Sequence, residues 1–271
     1  MTLKLIKDGI NCKFEFDPIT YYRNNALYDL IRKKRLTNFL FSVGDSWQII
    51  YGDNFCNPLL IIFAKGLSAK EYNDDLANED LKIIALLTLI AKQTNLPFGI
   101  VKFRNDLQEI QEVQYASSDM LFRKITLQGL SGLFGKFGLP VSNTQTAKYL
   151  NDETSSAYHS WQRQSLGKKI TVSDIDLWRI NKSSKPEIIF ELKRSYYDLE
   201  KWQPFADDYT NFRLIWSLCN KISIKFKIVY NVRTKEPFND DISKIKLFEV
   251  DFNTYPPIKD KGIISVEEFL L

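Results

Sequence analysis

Two apolar segments joined by a short polar turn constrain the fold of this chain more than any other feature. ITVSDIDLWRI (170–180) and EIIFELKRS (187–195) flank the turn NKSSKP (181–186). Their β-branched and aromatic residues favour strands, and a connection this short predicts that the two strands pair as a hairpin. Charged side chains among such apolar neighbours cost free energy unless a partner, such as a metal ion, compensates them.

Four charged residues of this hairpin fall where they can act together. Residues two apart in a strand point to the same face, so Asp174 shares a face with Asp176, and Glu191 shares one with Lys193. If the strands pair across the turn, Asp176 and Glu191 approach one point. Two converging carboxylates form a site for a hard divalent cation, and Mg²⁺ suits it best, with Mn²⁺ as a substitute.

Lys193 adds a third group to this predicted site. A metal ion lowers the pKa of a bound water and neutralises charge on a phosphoryl oxygen, and a nearby ammonium group orients the water or stabilises the transition state. Together they indicate phosphodiester hydrolysis. The alternative is one solvated face of an amphipathic sheet, in which Glu191 and Lys193 form an ion pair. The apolar IIF immediately before Glu191 favours a buried strand whose charges emerge at its end.

SDIDLW followed by IIFELKRS resembles the PD-(D/E)XK nuclease superfamily, and in particular its branch of Holliday-junction-resolvase-like proteins. The resemblance covers about residues 145–232. It implies a restriction-endonuclease-like fold in which Asp176 and Glu191 bind Mg²⁺ and Lys193 is catalytic. Asp174 falls where those relatives carry a Glu, and no proline precedes either aspartate. The choice between Asp174 and Asp176 as the principal ligand therefore stays open.

Relatives of this kind often bring one more acidic residue from the preceding helix, and Glu153 is the candidate here. It lies three residues after Leu150 and four before Ala157, on or beside the predicted apolar stripe of a helix over 146–163. The resemblance thus implies a ligand set of Asp174, Asp176, Glu191 and Glu153. An exposed glutamate on a slightly rotated helix explains Glu153 equally well.

Basic and polar residues around the motif are candidates for contacts to nucleic acid. The formal net charge of +4 permits a polyanionic partner without requiring one. Basic side chains can neutralise phosphates, and relatives place polar residues ahead of the helix that follows the motif. The predicted nucleic-acid-binding residues are Lys168, Lys169, Arg179, Arg194 and Gln203.

Strand and helix patterns alternate along the whole chain, which predicts an α/β fold with a mixed sheet flanked by helices. We divide the chain of 271 residues into an N-terminal α/β region (1–126), a glycine-rich connector (127–145) and a nuclease-like domain (146–271). The connector LQGLSGLFGKFGLP has a glycine at every third position near its start, but no Walker pattern. The role of 1–126 is not predicted by any motif.

Several classes of protein are excluded or disfavoured by what the sequence lacks. A single histidine, His159, excludes sites with paired histidines, and we expect it to be a helix residue that contacts its neighbours. Three scattered cysteines argue against a disulfide framework or a cysteine-based zinc site. We see no signal peptide, and the longest apolar run, LKIIALLTLIA (81–91), is too short to span a bilayer. Cytoplasm is the expected compartment.

These observations predict a Mg²⁺-dependent endonuclease that acts on DNA, with RNA left open as a substrate. Many nucleases of the resembled fold cut duplexes as dimers, which favours a homodimer. A composition rich in Lys, Asn and Ile fits a low-GC microbial or phage source, and with it a role in defence, restriction or mobile-element biology. The alternative is a catalytically silent, nuclease-like module that binds nucleic acid or a partner protein.

Overall fold

The computed structural model describes residues 25–142, 144, 156–235 and 238–271. Glu153, predicted as a metal ligand, lies outside these residues. The first part of the helix predicted over 146–163 lies outside them as well.

Within the described ranges the backbone forms twelve strands and six α-helices, numbered here in chain order. The strands are β1 (Phe39–Leu40), β2 (Ser46–Asp53), β3 (Pro58–Leu67), β4 (Phe98–Arg104), β5 (Glu112–Ala116), β6 (Arg123–Thr126), β7 (Ile170–Asp174), β8 (Leu177–Ile180), β9 (Pro186–Ser195), β10 (Lys225–Lys235), β11 (Phe238–Val250) and β12 (Ile258–Ser265). The helices are α1 (Ala26–Lys33), α2 (Asn78–Thr94), α3 (Leu127–Lys136), α4 (Ala157–Ser165), α5 (Tyr209–Lys221) and α6 (Val266–Leu270). A 3₁₀ turn, Ala206–Asp208, precedes α5.

The strands form two mixed sheets of six strands each, so the predicted α/β class is confirmed. Sheet I has the order β6-β5-β4-β3-β2-β7, and sheet II has the order β1-β8-β9-β10-β11-β12. Parallel neighbours occur once in each sheet, as β3 with β4 and β9 with β10. Parallel strands need a crossover connection, and α2 and α5 supply it.

Three hydrophobic clusters arrange helices and sheets in five layers. α2 and α5 lie between the two sheets, where Leu87 and Phe212 join a cluster that includes residues of both sheets. α3 and α4 cover the outer face of sheet I, with Phe134 in the centre of that cluster. α1 and α6 cover the outer face of sheet II through Leu27 and Phe269. Each sheet is therefore buried on both faces, which explains the long apolar runs in its strands.

The strongest periodic patterns of the sequence form the elements that they predict. The apolar run from Leu81 lies within α2, which ends where Asn95 adopts the left-handed conformation with φ of 54°. Asparagine tolerates this conformation better than most residues, so it ends a helix readily. The apolar segment LPFGIVKF, whose β-branched and aromatic residues favour a buried strand, contains β4.

The glycine-rich segment predicted as a connector is helical over α3. Thr126 begins the helix by accepting a hydrogen bond on its side chain from the Gly129 amide at 3.1 Å. Leu130 and Phe134 are fully buried against sheet I. Glycine has a low helix propensity, which is why the spacing predicted a loop. Burial of the apolar side chains stabilises the helix in spite of that propensity.

Both sheets contain strands from both sides of the predicted boundary between the two halves. β7, from the second half, pairs with β2 in sheet I. β1, from the first half, pairs with β8 in sheet II. The division into 1–126 and 146–271 stays a prediction, but the strands of the two parts are interleaved.

Candidate active site

The chain crosses from one sheet to the other in the middle of the aspartate motif. The prediction of one strand over ITVSDIDLWRI is wrong, because β7 ends at Asp174 in sheet I and β8 begins at Leu177 in sheet II. The amide of Ile175 donates to the carbonyl of Gln48 at 2.8 Å and holds the crossing segment against β2. Asp174 and Asp176 therefore lie at the junction of the two sheets rather than on one face of a strand.

The hairpin predicted from the short turn is present as β8 and β9. These strands pair antiparallel, with Leu177 opposite Phe190. Asp176 is fixed to β9 because its Oδ2 accepts a hydrogen bond from the Leu192 amide at 2.7 Å. The carbonyl of Asp176 accepts a second bond from the hydroxyl of Tyr28 at 2.9 Å. The Asp176 carboxylate is thus held beside the segment that carries Glu191 and Lys193.

Glu191 and Lys193 lie on the same face of β9, as their spacing predicts. Lys193 Nζ lies 3.1 Å from Glu191 Oε1 and 3.1 Å from Asp208 Oδ2. It also lies 5.3 Å above the ring of Phe212 in α5. The side chain of Glu191 is 12% exposed and that of Lys193 is 27% exposed. Both charges are therefore recessed but still reach solvent.

His159 lies beside the carboxylates as well as in contact with its helix neighbours. Its ring packs edge-on against Trp47, with the ring centroids 4.9 Å apart. Its Nδ1 lies 2.8 Å from Ser156 Oγ, and its Nε2 lies 3.9 Å from Asp174 Oδ2. Burial, assisted by the positive charge of Arg163, lowers the pKa of His159 to about 4. The imidazole is therefore neutral at pH 7.

The pKa values of the two aspartates in this region are raised by burial and by the nearby Glu191. Burial and the neighbouring Glu191 raise the pKa of Asp174 to about 7, against a smaller opposing effect of Arg163. Burial and Glu191 also raise the pKa of Asp176 well above its ordinary value, although the Leu192 amide and Lys193 oppose the shift. Burial alone would lower the pKa of Lys193, but Glu191 and Asp208 outweigh it and raise the pKa. The three acids thus carry more negative charge than their protein surroundings compensate.

A cleft of about 510 Å³ collects these groups. Asp174, Asp176 and Glu191 line it together with α4 and with the segment from Asp207 that begins α5. Among the described residues, no three His, Cys, Asp or Glu side chains are arranged to hold a metal ion directly. Mg²⁺ in proteins is usually held through one or two carboxylates and several waters. A pair of oxygen donors with uncompensated charge fits that requirement, and Asp176 and Glu191 provide it.

Only one of the residues predicted to contact nucleic acid borders the cleft, namely Lys168. Lys169 is exposed next to it and does not line the cleft. Arg179 donates to the carbonyl of Leu271 at 2.6 Å, and Arg194 pairs with Asp240 at 2.9 Å. Gln203 is exposed and bonds to Asp260. The structure therefore brings Asp174, Asp176, Glu191, Lys193 and Lys168 together and leaves the other four described residues elsewhere.

The site also includes residues that the sequence did not single out for it. Asp208 forms the second ion pair of Lys193, and Gln162 and Arg163 line the α4 side. A helical periodicity that placed His159, Gln162 and Arg163 on one face would have found the latter two. No local pattern links Asp208 to Lys193, because the two are brought together only by the packing of α5 onto β9.

None of the helices in the described parts of the chain has the length and apolarity needed to cross a membrane. Comparison of the whole chain with family models and with curated proteins gave no match to either.

Proposed function

We propose that this protein is a Mg²⁺-dependent nuclease that hydrolyses phosphodiester bonds, most readily as an endonuclease acting on DNA. The observation that carries the proposal is that Asp174, Asp176 and Glu191 line one cleft, with Lys193 in an ion pair with Glu191. A buried ion pair used only for stability does not need two further acids, Asp174 and Asp176, whose pKa values are raised. Such clusters of perturbed groups in a cleft are typical of functional sites.

The topology around the cleft also supports the proposal. β8 and β9 form a hairpin, and β9 continues through α5 into the parallel strand β10. In the resembled nuclease core, a helix and then a strand are expected after the strands that carry the Asp and Glu-x-Lys motifs. The elements α5 and β10 have this order. Glu191 pairs in register with Ile228 of β10 and is therefore on a central strand of sheet II rather than at an edge.

Asp176 and Glu191 would hold the Mg²⁺ ion, with Asp174 close enough to share its waters. The bound ion would supply Lewis acidity and lower the pKa of the attacking water. Lys193 contributes a fixed positive charge at the reacting phosphoryl group, because its pKa is raised and the ammonium stays protonated. Asp208 holds that ammonium through a second ion pair, at the same distance as Glu191. The Leu192 amide keeps Asp176 oriented throughout.

The remaining parts of the proposal rest on the sequence. We propose DNA as the substrate, a homodimer as the form that cuts duplexes, and the cytoplasm as the compartment. A role in microbial defence, restriction or mobile-element biology belongs to the same proposal. Of the basic residues proposed to contact nucleic acid, Lys168 has the strongest support because it borders the cleft.

A cleavage assay with matched variants tests the activity. Supercoiled plasmid, linear duplex, single-stranded DNA and RNA are incubated with Mg²⁺, Mn²⁺ or EDTA. Wild type is compared with Glu191→Gln and Lys193→Met, and with the controls Glu187→Gln and Lys185→Met, which alter exposed residues of the same hairpin. We expect metal-dependent cutting by wild type and both controls, and loss of cutting in the two site variants.

Calorimetric titration with Mg²⁺ separates the alternatives if no substrate is cut. Absence of both cutting and metal binding would contradict the proposed activity and favour a silent module that binds nucleic acid or protein. Metal binding that Glu191→Gln removes, without cutting, would keep the metal site and point to a missing partner or a specific target sequence.

A further inference from the structure

The α4 side of the cleft contains a buried donor that lacks an acceptor. Gln162 is only 5% exposed, and its Oε1 accepts a hydrogen bond from the Tyr51 hydroxyl at 2.7 Å. The same hydroxyl lies 3.0 Å from that of Tyr158. Gln162 Nε2, in contrast, has no hydrogen-bond partner among the described residues. A buried donor left unpaired costs free energy, so this amide is suited to an acceptor atom that arrives with a ligand.

Positive charge accompanies this donor on the same side. Arg163 follows Gln162 in α4 and lines the cleft, and Lys168 lines it from the loop after the helix. His159, one turn earlier in α4, lies beside Asp174. Gln162, Arg163 and Lys168 therefore present hydrogen-bond donors and positive charge next to the carboxylates, on the side of Asp174. Lys193 and Asp208 lie on the side of Glu191.

A phosphate group fits this set of donors better than a neutral or cationic group would. A guanidinium offers a planar fork of N–H donors that matches phosphate oxygens, and an ammonium adds a point charge. In a nucleic acid strand, the phosphate at the reaction centre is followed by another one nucleotide away. If the first lies over Asp176 and Glu191, its neighbour on the Asp174 side meets the α4 donors.

We propose that Gln162, Arg163 and Lys168 bind the phosphate adjacent to the one that is cleaved, and so hold one strand across the carboxylates. The inference rests on the proposed nuclease function and adds a substrate-binding subsite to it. This subsite does not use the metal ion, because its donors bind the phosphate directly. It is therefore measurable in EDTA, when no cleavage takes place.

Binding of a fluorescein-labelled oligothymidylate in EDTA tests the subsite as a function of salt concentration. Each phosphate contact to a single strand contributes about 0.7 to the slope of log K against log salt concentration. We expect Arg163→Gln to weaken binding several-fold at low salt and to reduce the slope by about that amount. Arg123→Gln, at an exposed position on β6, is the matched control and should bind as wild type does. Circular dichroism and Tm confirm that each variant folds.

A second measurement on wild-type protein avoids dependence on the folding of a variant. The substrate is an oligonucleotide with a single cleavable phosphate. A methylphosphonate replaces the phosphate next to the cleavable one and removes its charge. We expect this change to weaken binding to wild type several-fold, and to have little further effect on Arg163→Gln. Such non-additivity identifies the phosphate that Arg163 contacts.

The outcomes distinguish this inference from the proposed function. Metal-dependent cleavage by wild type, together with unchanged salt slopes for Arg163→Gln and no effect of the methylphosphonate, would overturn the subsite and leave the nuclease standing. Failure of wild type both to cut and to bind any oligonucleotide would overturn both.

Discussion

Lys193 and Asp208 form an ion pair of 3.1 Å that connects β9 to the 3₁₀ turn ahead of α5. Asp208 occupies the position just before α5, where an aspartate side chain usually accepts a hydrogen bond from the helix backbone. Its side chain makes no such bond, and its carboxylate instead lies against the ammonium of Lys193. The arrangement forgoes a stabilising helix cap and keeps Lys193 from pairing with Glu191 alone.

Asp208→Asn should therefore reduce turnover without destabilising the fold. The Asp208 side chain makes no cap bond that the change could remove, and its ion pair with Lys193 is partly exposed, so Tm should change little. Lys193 would shift toward Glu191, and we expect kcat to fall about tenfold, which is about 1.4 kcal/mol, with a small change in KM. Asp198→Asn removes the same charge at an exposed position outside the cleft and is the control, expected to stay within about twofold of wild type by the same relation. Equal losses in both variants would show that only net charge matters.

The acidic cluster should destabilise the metal-free protein. Removing one charge by Asp174→Asn relieves repulsion with Glu191. Because the side chain of Asp174 is 44% exposed, water screens part of this repulsion. We expect the Tm in EDTA to rise by roughly 2–4 °C, the effect of about 1 kcal/mol in a chain of this size. Asp198→Asn, at an exposed position, should not raise it. A lower Tm for Asp174→Asn would mean that the protein itself compensates the negative charge of the cluster without a metal ion.

The same carboxyl group predicts a pH dependence of stability. The pKa of Asp174 is about 7 in the folded state against 3.8 for an unperturbed group. Between these values the folded state binds more protons than the unfolded state, so the free energy of unfolding falls as pH rises. In EDTA we expect wild type to lose Tm between about pH 4 and pH 7 more steeply than Asp174→Asn does. If Tm fell equally steeply with pH in the two proteins, the result would contradict a raised pKa for Asp174.

Mg²⁺ should reverse this destabilisation through Glu191 and Asp176. An ion that binds only the folded state adds about 2.7 kcal/mol at a concentration one hundred times its Kd. Increasing the Mg²⁺ concentration should therefore raise the Tm of wild type and of Glu187→Gln, as measured by thermal unfolding. Glu191→Gln should show no rise in the same range. A rise that persists in Glu191→Gln would place the ion elsewhere.

A buried hydrogen bond between the two sheets gives a prediction for stability alone. Trp178 Nε1 donates to Gln48 Oε1 at 2.6 Å, and neither residue is exposed. Trp178→Phe leaves the Gln48 oxygen without this donor, which costs about 1–3 kcal/mol in addition to any cavity. We expect denaturant unfolding to show that loss, whereas Trp216→Phe, at a half-buried position, should cost less. Adding Gln48→Leu to Trp178→Phe should restore part of the stability.

Periodic patterns in the sequence predicted the elements but not how the elements meet. α2 and β4 follow from their apolar runs, and the β8–β9 hairpin follows from the length of its turn. Helical spacing predicts one apolar stripe on the helix after Pro204, made of Phe205, Tyr209, Phe212 and Trp216. In the structure Phe205 is exposed, and only Phe212 of these four is fully buried. The helix is covered on two sides by sheets, so residues outside a single stripe, such as Leu214, are buried too.

The candidate site was predictable to the extent that its residues are close in sequence. Glu191 and Lys193 are two apart on one strand, and the turn brings Asp176 to them. Asp208 reaches Lys193 from the turn before α5, and Gln162 reaches the cleft from α4 on the outer face of sheet I. No spacing in the sequence encodes that packing. Arg179 and Arg194 lie near the motif in sequence, but strand alternation directs their side chains away from Glu191 and Lys193, to partners elsewhere.

The crossing segment between β7 and β8 makes the two sheets one cooperative unit at the site. Strand β7 keeps its place only while β2 pairs with it, and β2 belongs to the part of the chain that contains no recognisable motif. A fragment that begins after residue 145 would retain Asp176, Glu191 and Lys193. It would lose β2, the pairing partner of β7, and β1, one of the two neighbours of β8. Recombination that exchanges the N-terminal part for an unrelated sequence would therefore remove the support of the acidic cluster. The N-terminal part and the motif can only be inherited together.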